Sequence, residues 1–152
     1  MKLKRIRKIF ILLLLFKLKK MEEFSVSTKE KYDMVDITKQ VKKIVKDSKI
    51  KKGICTVYVP HATCAVLINE NYDPNVMDDV LDCLNKLVPE GKWKHDRVDN
   101  NGAAHIKSAI IGPSETIPIK NRELLLGTWQ DIMLADFDGP RQRKIIVTLA
   151  GE

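Results

Sequence analysis

Apolar and polar residues alternate over several short runs of the chain, and this period of two predicts β-strands. The predicted strands cover residues 24–28, 32–37, 54–59, 62–69, 106–111, 116–119, 124–135 and 144–150. The runs 54–59 and 62–69 are expected to form a bent hairpin around Pro60 and His61. From His105 onward the pattern predicts an antiparallel meander, with turns at Gly112-Pro113, Asn121-Arg122 and Asp138-Gly139.

Two other segments repeat apolar residues every three or four positions, which predicts amphipathic helices. Thr38 is expected to cap the first helix, and its polar face carries lysines that we expect to be solvated: Lys39, Lys42, Lys43 and Lys46. Asp73 and Pro74 predict the start of the second helix, which Pro89-Glu90-Gly91 ends. The pattern predicts an α+β fold, in which a mainly antiparallel curved sheet forms a sandwich or partial barrel with two principal helices.

The positive charge of the chain is concentrated at its N-terminus. Residues 1–20 contain eight of the 27 Lys/Arg and no acid. Residues 21–152 therefore contain the other 19 basic residues and all 20 Asp/Glu, so their charges nearly cancel. The net charge of +7 therefore belongs to this segment. Residues 21–152 lack the overall basic character that binding to a phosphate backbone favours, and we predict no nucleic-acid partner.

The same N-terminal segment contains the apolar run 9–16, which is too short to cross about 30 Å of hydrocarbon as a helix. Lysines follow this run where a signal peptide carries small residues. Three interpretations stay open: an upstream leader with the natural start at Met21, an interfacial anchor, or a defective signal. We favour the leader and predict a single domain over residues 21–152, with membrane contact only if residues 1–20 are retained as an anchor.

The three cysteines form no CxxC pair, which argues against a disulfide framework and against a zinc ribbon. Cys55, Cys64 and Cys83 lie in apolar patterns and are expected to be small core residues. This usage predicts a reduced, cytoplasmic protein.

All three histidines lie between residues 61 and 105, beside small or polar neighbours. Two or three imidazoles with a carboxylate are typical of a zinc, manganese or iron site. Spacing alone leaves open whether His61, His95 and His105 converge or lie apart. Glu70, at the exit of a predicted strand, is the best candidate for an orienting group or general base.

The alternation of the strands also places polar groups on common faces. His61 and Thr63 share one face, and Thr128 shares another with Gln130. Trp129 points the opposite way and is expected to be a large core or interface anchor. Arg141 and Arg143 share a face on which they either present two forks to a phosphate or form an ion-paired hairpin end.

Taken in order, these motifs resemble the YjbQ-like family of secondary thiamine-phosphate synthases over residues 24–151. The motifs that carry the resemblance are His61-Ala62-Thr63-Cys64, Asn69-Glu70, Asp73-Pro74, His95, Asn101-Gly102-Ala103-Ala104-His105, Leu126-Gly127-Thr128-Trp129-Gln130 and the run from Asp136 to Arg143. Two positions depart from the family pattern. Arg122 stands where members usually have glycine, which makes a positive φ more costly, and Asp136 stands where they typically have glutamate.

The resemblance implies a homotrimer with histidine-lined sites near the subunit boundaries. It implies a divalent metal, zinc or manganese, held by His61, His95 and His105, with His95 as a ligand or as an acid or base. Catalysis would involve Glu70, His95 and Gln130. The side chains expected to bind a small phosphorylated metabolite are Thr63, Ser108, Thr128, Arg141 and Arg143.

The activity that the resemblance implies is a weak thiamine-phosphate synthase. This reaction joins hydroxymethylpyrimidine diphosphate to thiazole phosphate and releases pyrophosphate. Two alternatives stay open: another metal-assisted enzyme that acts on a phosphorylated metabolite, and a non-enzymatic trimeric module that binds a metal or ligand.

Overall fold

The computed structural model describes residues 18–152. Most of the predicted leader therefore lies outside the described residues, and its last three residues, 18–20, are the beginning of the first strand. None of the helices within residues 18–152 has the length and apolar character that a membrane span needs.

Within residues 18–152 the chain forms eight strands, three α-helices and one short 3₁₀ helix. The strands are β1 (Leu18–Ser27), β2 (Asp33–Asp36), β3 (Lys52–Tyr58), β4 (Cys64–Glu70), β5 (Ser114–Lys120), β6 (Glu123–Leu124), β7 (Gln130–Asp136) and β8 (Gln142–Gly151). The helices are α1 (Thr38–Ser48), α2 (Pro74–Leu87) and α3 (Gly102–Ile111), and the 3₁₀ helix covers Lys94–Arg97.

The strands form two antiparallel sheets, with the orders β1-β8-β3-β5-β6 and β2-β7-β4. Side chains of both sheets meet in the main core, which α1 joins through Val41 and Val45. The other face of the three-stranded sheet packs through Ala65 and Ala135 against apolar residues of α2 and α3. This layered arrangement confirms the predicted α+β fold with curved antiparallel sheets.

The start of α2 follows the sequence prediction. The Asp73 carboxylate accepts a hydrogen bond of 2.9 Å from the Asn75 N–H, and Pro74 occupies the first helical position. The predicted cap of α1 was wrong, because Ile37 occupies the N-cap position. The Thr38 hydroxyl instead accepts a hydrogen bond of 2.8 Å from the Ile132 N–H and links α1 to β7.

The predicted strand at residues 106–111 was wrong, because this segment belongs to α3. Isoleucines at 106, 110 and 111 give it the β-branched composition of a strand. The helix also buries residues on more than one side, including Ala103, Lys107 and Ser108. It therefore lacks the single apolar stripe by which a surface helix is recognised in a sequence.

The predicted strand pairings also differ from the structure. β3 and β4 belong to separate sheets, so no hairpin forms around Pro60 and His61. β7 pairs with β2 and β4, whereas β8 pairs with β1 and β3, so the second half of the chain is not a meander. Alternation reveals which residues form strands, but it does not identify the partner of each strand.

Cys55 and Cys64 are buried, as predicted, whereas Cys83 is exposed on α2. Trp129 is also exposed, with 54% of its surface accessible, which excludes the core position among the two that the sequence allowed. Its ring lies 4.8 Å from the Tyr72 ring, centroid to centroid. Two large aromatic side chains thus form an exposed pair at one end of the three-stranded sheet.

Candidate functional site

His95 and His105 lie side by side on the surface. Their ring centroids are 4.9 Å apart and the ring planes are nearly perpendicular, at 88°. His95 belongs to the 3₁₀ helix and His105 to the first turns of α3. The helical conformation of residues 102–111, which the sequence pattern did not predict, is what brings His105 to His95.

Local contacts fix the 3₁₀ helix against the start of α3. One oxygen of Asp96 accepts a hydrogen bond of 2.8 Å from the Gly102 N–H, and the other accepts one of 2.8 Å from the Trp93 N–H. Gly102 is closely packed, since a Cβ at this position would lie 2.6 Å from the Cβ of Trp93. The carboxylate and the missing side chain together set the separation of the two imidazoles.

The turn after β7 approaches the start of the same helix. The Asn101 side-chain amide donates a hydrogen bond of 3.2 Å to Asp138, and the Arg141 guanidinium lies 3.3 Å from the same carboxylate oxygen. Asn101 and His105 are four positions apart and therefore share one side of the helix. Asp138 and Arg141 thus lie near the start of the helix that carries His105.

One acceptor at this junction is unused. Among the described residues, the Asn101 Oδ1 atom is buried without a hydrogen-bond partner. Leaving a buried carbonyl oxygen unpaired costs on the order of 1–3 kcal/mol. Neither Asn101 nor Asp138 was among the predicted site residues, although both stand in the turn motifs of the sequence.

Arg143 lies in a buried polar cluster directly beneath this turn. Its Nε and Nη2 atoms donate to the two oxygens of Asp136 at 2.8 and 2.7 Å. The Thr28 hydroxyl donates to the same carboxylate at 2.8 Å, and the Asp138 N–H donates to it at 3.0 Å. Burial alone would raise the pKa of Asp136, but hydrogen bonds from Arg143, Asp138 and Thr28 hold it below its ordinary value.

The two arginines therefore have different positions. Arg143 is buried, and its guanidinium donates to both oxygens of Asp136. Arg143 therefore has the ion-paired position that the sequence allowed, rather than a free position that could bind a phosphate. Arg141 is exposed, and its side chain retains 60% of its surface accessible to solvent. Only Arg141 lies where its guanidinium can reach a bound anion without breaking a buried ion pair.

His61 and Thr63 lie on the loop that leads into β4, on the other side of Arg143. The His61 Nε2 atom accepts a hydrogen bond of 2.9 Å from the Lys144 N–H, so the ring proton is on Nδ1. Partial burial, followed by the nearby Arg143 cation, lowers the pKa of His61. The Thr63 hydroxyl accepts a hydrogen bond of 3.3 Å from Arg143 and is buried.

Ser108 links α3 to this loop. Its hydroxyl lies 2.5 Å from the Ala62 carbonyl and 2.9 Å from the His105 carbonyl, and its single proton is donated to one of them or shared between the two. Ser108 is buried, so its contacts position the His61 loop beside α3. Burial and the nearby Asp136 carboxylate raise the pKa of the Cys64 thiol to about 12.

The remaining predicted site residues lie at the opposite end of the three-stranded sheet. Glu70 pairs with Gln130, whereas Cys64 pairs with Asp136, at the two ends of the seven-residue strand β4. Such a strand is about 20 Å long. Gln130 accepts a hydrogen bond of 2.8 Å from the Gly127 N–H, and Thr128 is exposed in the same turn. Within one chain, the predicted site therefore divides into two regions.

The donors within one chain fit the expected metal only in part. His95 and His105 supply two adjacent imidazoles, but the His61 Nε2 atom already accepts a hydrogen bond. Residues 18–152 contain no group of three or more His, Cys, Asp or Glu side chains arranged to hold an ion. Zinc sites in proteins use at least three protein ligands, so the described residues of one chain do not form a complete zinc site.

The fold and this surface define a small two-sheet α+β protein with a paired-histidine site at the start of a helix. The chain belongs to the UPF0047 protein YjbQ-like family, whose model matches residues 22–152. A UPF0047 protein of Methanocaldococcus jannaschii is 42% identical over 135 residues, which cover 89% of this chain and 97% of the relative. The Bacillus subtilis protein YugU is 35% identical over 134 residues, which cover 86% of this chain and 99% of that protein.

Solved structures share the fold over nearly their full length. A YbjQ-like protein of unknown function from Sulfolobus solfataricus has a TM-score of 0.85 at 38% identity, covering 88% of this chain and 97% of its own. An uncharacterized conserved protein from Clostridium acetobutylicum has a TM-score of 0.81 at 44% identity, covering 84% and 98%. These relatives establish the family and the fold, and their descriptions assign no reaction.

Proposed function

We propose that this protein is an enzyme that acts on a small phosphorylated metabolite at the surface formed by His95, His105, Asp138 and Arg141. The observation that carries this proposal is the approach of the two imidazole rings to 4.9 Å. The exposed Arg141 guanidinium is linked to the start of the helix that carries His105 through Asp138 and Asn101. Histidine donates and accepts protons near neutral pH, and arginine binds phosphate oxygens bidentately.

The contacts suggest a role for each group. One imidazole donates a proton to the leaving group or removes one from the nucleophile, which typically contributes 10²- to 10⁴-fold to a rate. Arg141 holds a phosphate oxygen, and Asp138 orients Arg141 through contacts at 3.3 Å to its carboxylate and 2.9 Å to its backbone carbonyl.

The specific reaction that we propose is the one implied by the family resemblance, thiamine-phosphate synthesis at a low rate. The thiazole nitrogen attacks the methylene carbon of hydroxymethylpyrimidine diphosphate. The bond from that carbon to the diphosphate oxygen breaks, and its electron pair leaves with pyrophosphate. Support from this chain consists of Arg141 for the departing anion and a histidine that supplies its proton.

A divalent metal and a homotrimer accompany this proposal. His105 would supply a ligand to zinc or manganese, and His95 would be either a second ligand or the acid or base. A bound ion would help to neutralise a phosphate. The remaining ligands would come from outside the described residues of one chain or from solvent. We assign no step of the reaction to the ion, because the donors within one chain do not form a full set.

The test is a turnover assay with a panel of substrates. Thiamine phosphate and pyrophosphate are measured as stoichiometric products, alongside phosphate release from other phosphorylated metabolites. We expect His105→Ala to lower turnover of the accepted substrate by at least about 100-fold. Arg141→Ala is expected to raise KM more than it lowers kcat, because it removes a contact to the phosphate.

Each result of this assay has a defined meaning. Fast turnover of another phosphate compound would replace thiamine-phosphate synthesis as the reaction but keep the site. Tight binding with no turnover of any panel member would favour the trimeric binding module instead. Turnover that is unchanged in His105→Ala would exclude the histidine pair as the active site.

A further inference from the structure

A second cavity lies far from the histidine pair, between α1 and the hairpin formed by β5 and β6. Its volume is about 390 Å³, within the range of small-molecule sites. The turn that begins at Gly127 forms another part of its wall. The cavity contacts Gln130, at the end of β7 opposite Asp136, so it lies about 20 Å from the turn that carries Asp138 and Arg141.

Three cationic side chains line this cavity: Lys42, Lys46 and Arg122. Lys42 and Lys46 are four positions apart on α1, an arrangement of like charges that destabilises a helix. None of the three takes part in the ion pairs formed among residues 18–152. Their mutual repulsion is relieved when an anion lies between them.

Arg122 is held in a backbone conformation that is unfavourable for its side chain. Its φ is 68°, and that of the preceding Asn121 is 55°, as in the type I′ turn of a two-residue hairpin. Glycine is the residue that such a turn favours at the second position. The chain instead has an arginine at this strained position, and that arginine lines the cavity.

The other polar groups of the cavity set its selectivity. Thr128 contributes an exposed hydroxyl. Two acids, Glu123 and Asp131, also line the wall, and one oxygen of Asp131 accepts a hydrogen bond of 3.3 Å from Asn71. The lining thus carries three positive and two negative side chains. It favours a compact anionic ligand that contacts the three cations without contacting the two carboxylates, which would repel it.

We propose that this cavity is a second binding site, specific for a small molecule that carries a diphosphate group. A diphosphate has enough oxygens to contact Lys42, Lys46 and Arg122 together, and it can accept a further hydrogen bond from Thr128. Within one chain this cavity is separate from the histidine pair, because the two lie at opposite ends of β7. The proposal does not depend on which reaction the histidine pair carries out.

Binding of inorganic pyrophosphate tests the proposal directly. Titration calorimetry is carried out on the full chain with the background substitution Arg141→Ala, so that an anion at the histidine pair does not contribute. We expect pyrophosphate to bind and Arg122→Gly to weaken its affinity at least about tenfold. The double variant Lys42→Gln/Lys46→Gln is expected to weaken it at least as much.

Two controls separate binding from folding. Arg122→Gly places glycine where the turn favours it, so the melting temperature without ligand is expected to stay the same or rise. Lys43→Gln removes a charge from the same helix outside the cavity lining and is expected to change the affinity less than about twofold. Unchanged affinity in Arg122→Gly and in the double lysine variant would overturn the proposal, as would absence of binding at millimolar pyrophosphate.

Discussion

Asp136 and Arg143 form a buried ion pair beneath the turn that carries Asp138. Both side chains are buried, and two hydrogen bonds of 2.7 and 2.8 Å join them. Breaking such a pair is costly because it leaves an uncompensated charge out of contact with water. The pair also supports the candidate site, since the Arg143 Nη2 atom donates to the Asp138 carbonyl at 3.1 Å.

Replacing Asp136 by alanine is expected to lower the free energy of unfolding by about 3–5 kcal/mol. Urea denaturation measures this loss. Asp47→Ala provides the control, because it removes a carboxylate from the exposed Lys43–Asp47 pair, where we expect no measurable change. A loss below about 1 kcal/mol for Asp136→Ala would show that the buried pair is not the constraint that its geometry indicates.

Helix α3 is the element that assembles the candidate site. It carries Asn101 at its N-cap, His105 in its first turns, and Ser108, which contacts the loop beside His61. Its N-terminus is held by the Asp96 carboxylate of the 3₁₀ helix that contains His95. Disturbing this junction is therefore expected to affect the histidine pair as well as the stability.

Gly102→Ala tests the junction. The new Cβ would lie 2.6 Å from the Trp93 Cβ and 2.8 Å from the Asp96 Oδ1, so one element must shift. We expect a loss of about 1–3 kcal/mol in urea denaturation, the usual cost of overpacking. In NMR spectra, the nuclear Overhauser effects between the two imidazole rings are expected to weaken.

Gly127→Ala is the matched control for this experiment. Its Cβ would approach only the flexible Gln130 side chain, with 3.2 Å to the nearest atom. A smaller loss and unchanged contacts between the imidazoles are expected. Equal effects of the two substitutions would contradict the special role of the Gly102 junction.

Local sequence signals predicted some features of the fold and the candidate site but not others. Asp73 and Pro74 predicted the start of α2, because both signals act through neighbouring backbone atoms. The family resemblance predicted that His95 and His105 belong to one site. Their contact nevertheless depends on α3, which the isoleucines at its C-terminal end made similar to a strand. Gln130 is separated from Arg143 because Arg143 contacts Asp136 at the opposite end of β7, and alternation within one strand does not encode that contact.

On the scale of the whole molecule, several large apolar side chains remain on the surface of one chain. Tyr72, Trp129 and Leu125 are each more than half exposed. Exposed apolar groups that lie together mark contacts with other proteins. Trp129 is excluded from the core, so we propose the other alternative from the sequence, that Trp129 is an interface anchor in the proposed homotrimer.

We expect sedimentation equilibrium to give three times the mass of the chain. Trp129→Ala is expected to shift the protein towards monomer. Truncating a central aromatic anchor commonly costs about 2–4 kcal/mol of association free energy. Val98→Ala, at another exposed apolar position, serves as the control and should keep the trimer. A wild-type protein that sediments as a monomer would contradict the assembly.

We propose that His95 and His105 act together as one catalytic site. A double-mutant cycle on kcat/KM tests it most directly, with the substrate that the panel identifies and with His95→Ala, His105→Ala and the double variant. We predict that each single variant loses at least about 100-fold and that the double variant is no slower than the slower single one, as expected for residues that act as a unit. Losses that multiply in the double variant, or single variants with full activity, would contradict it.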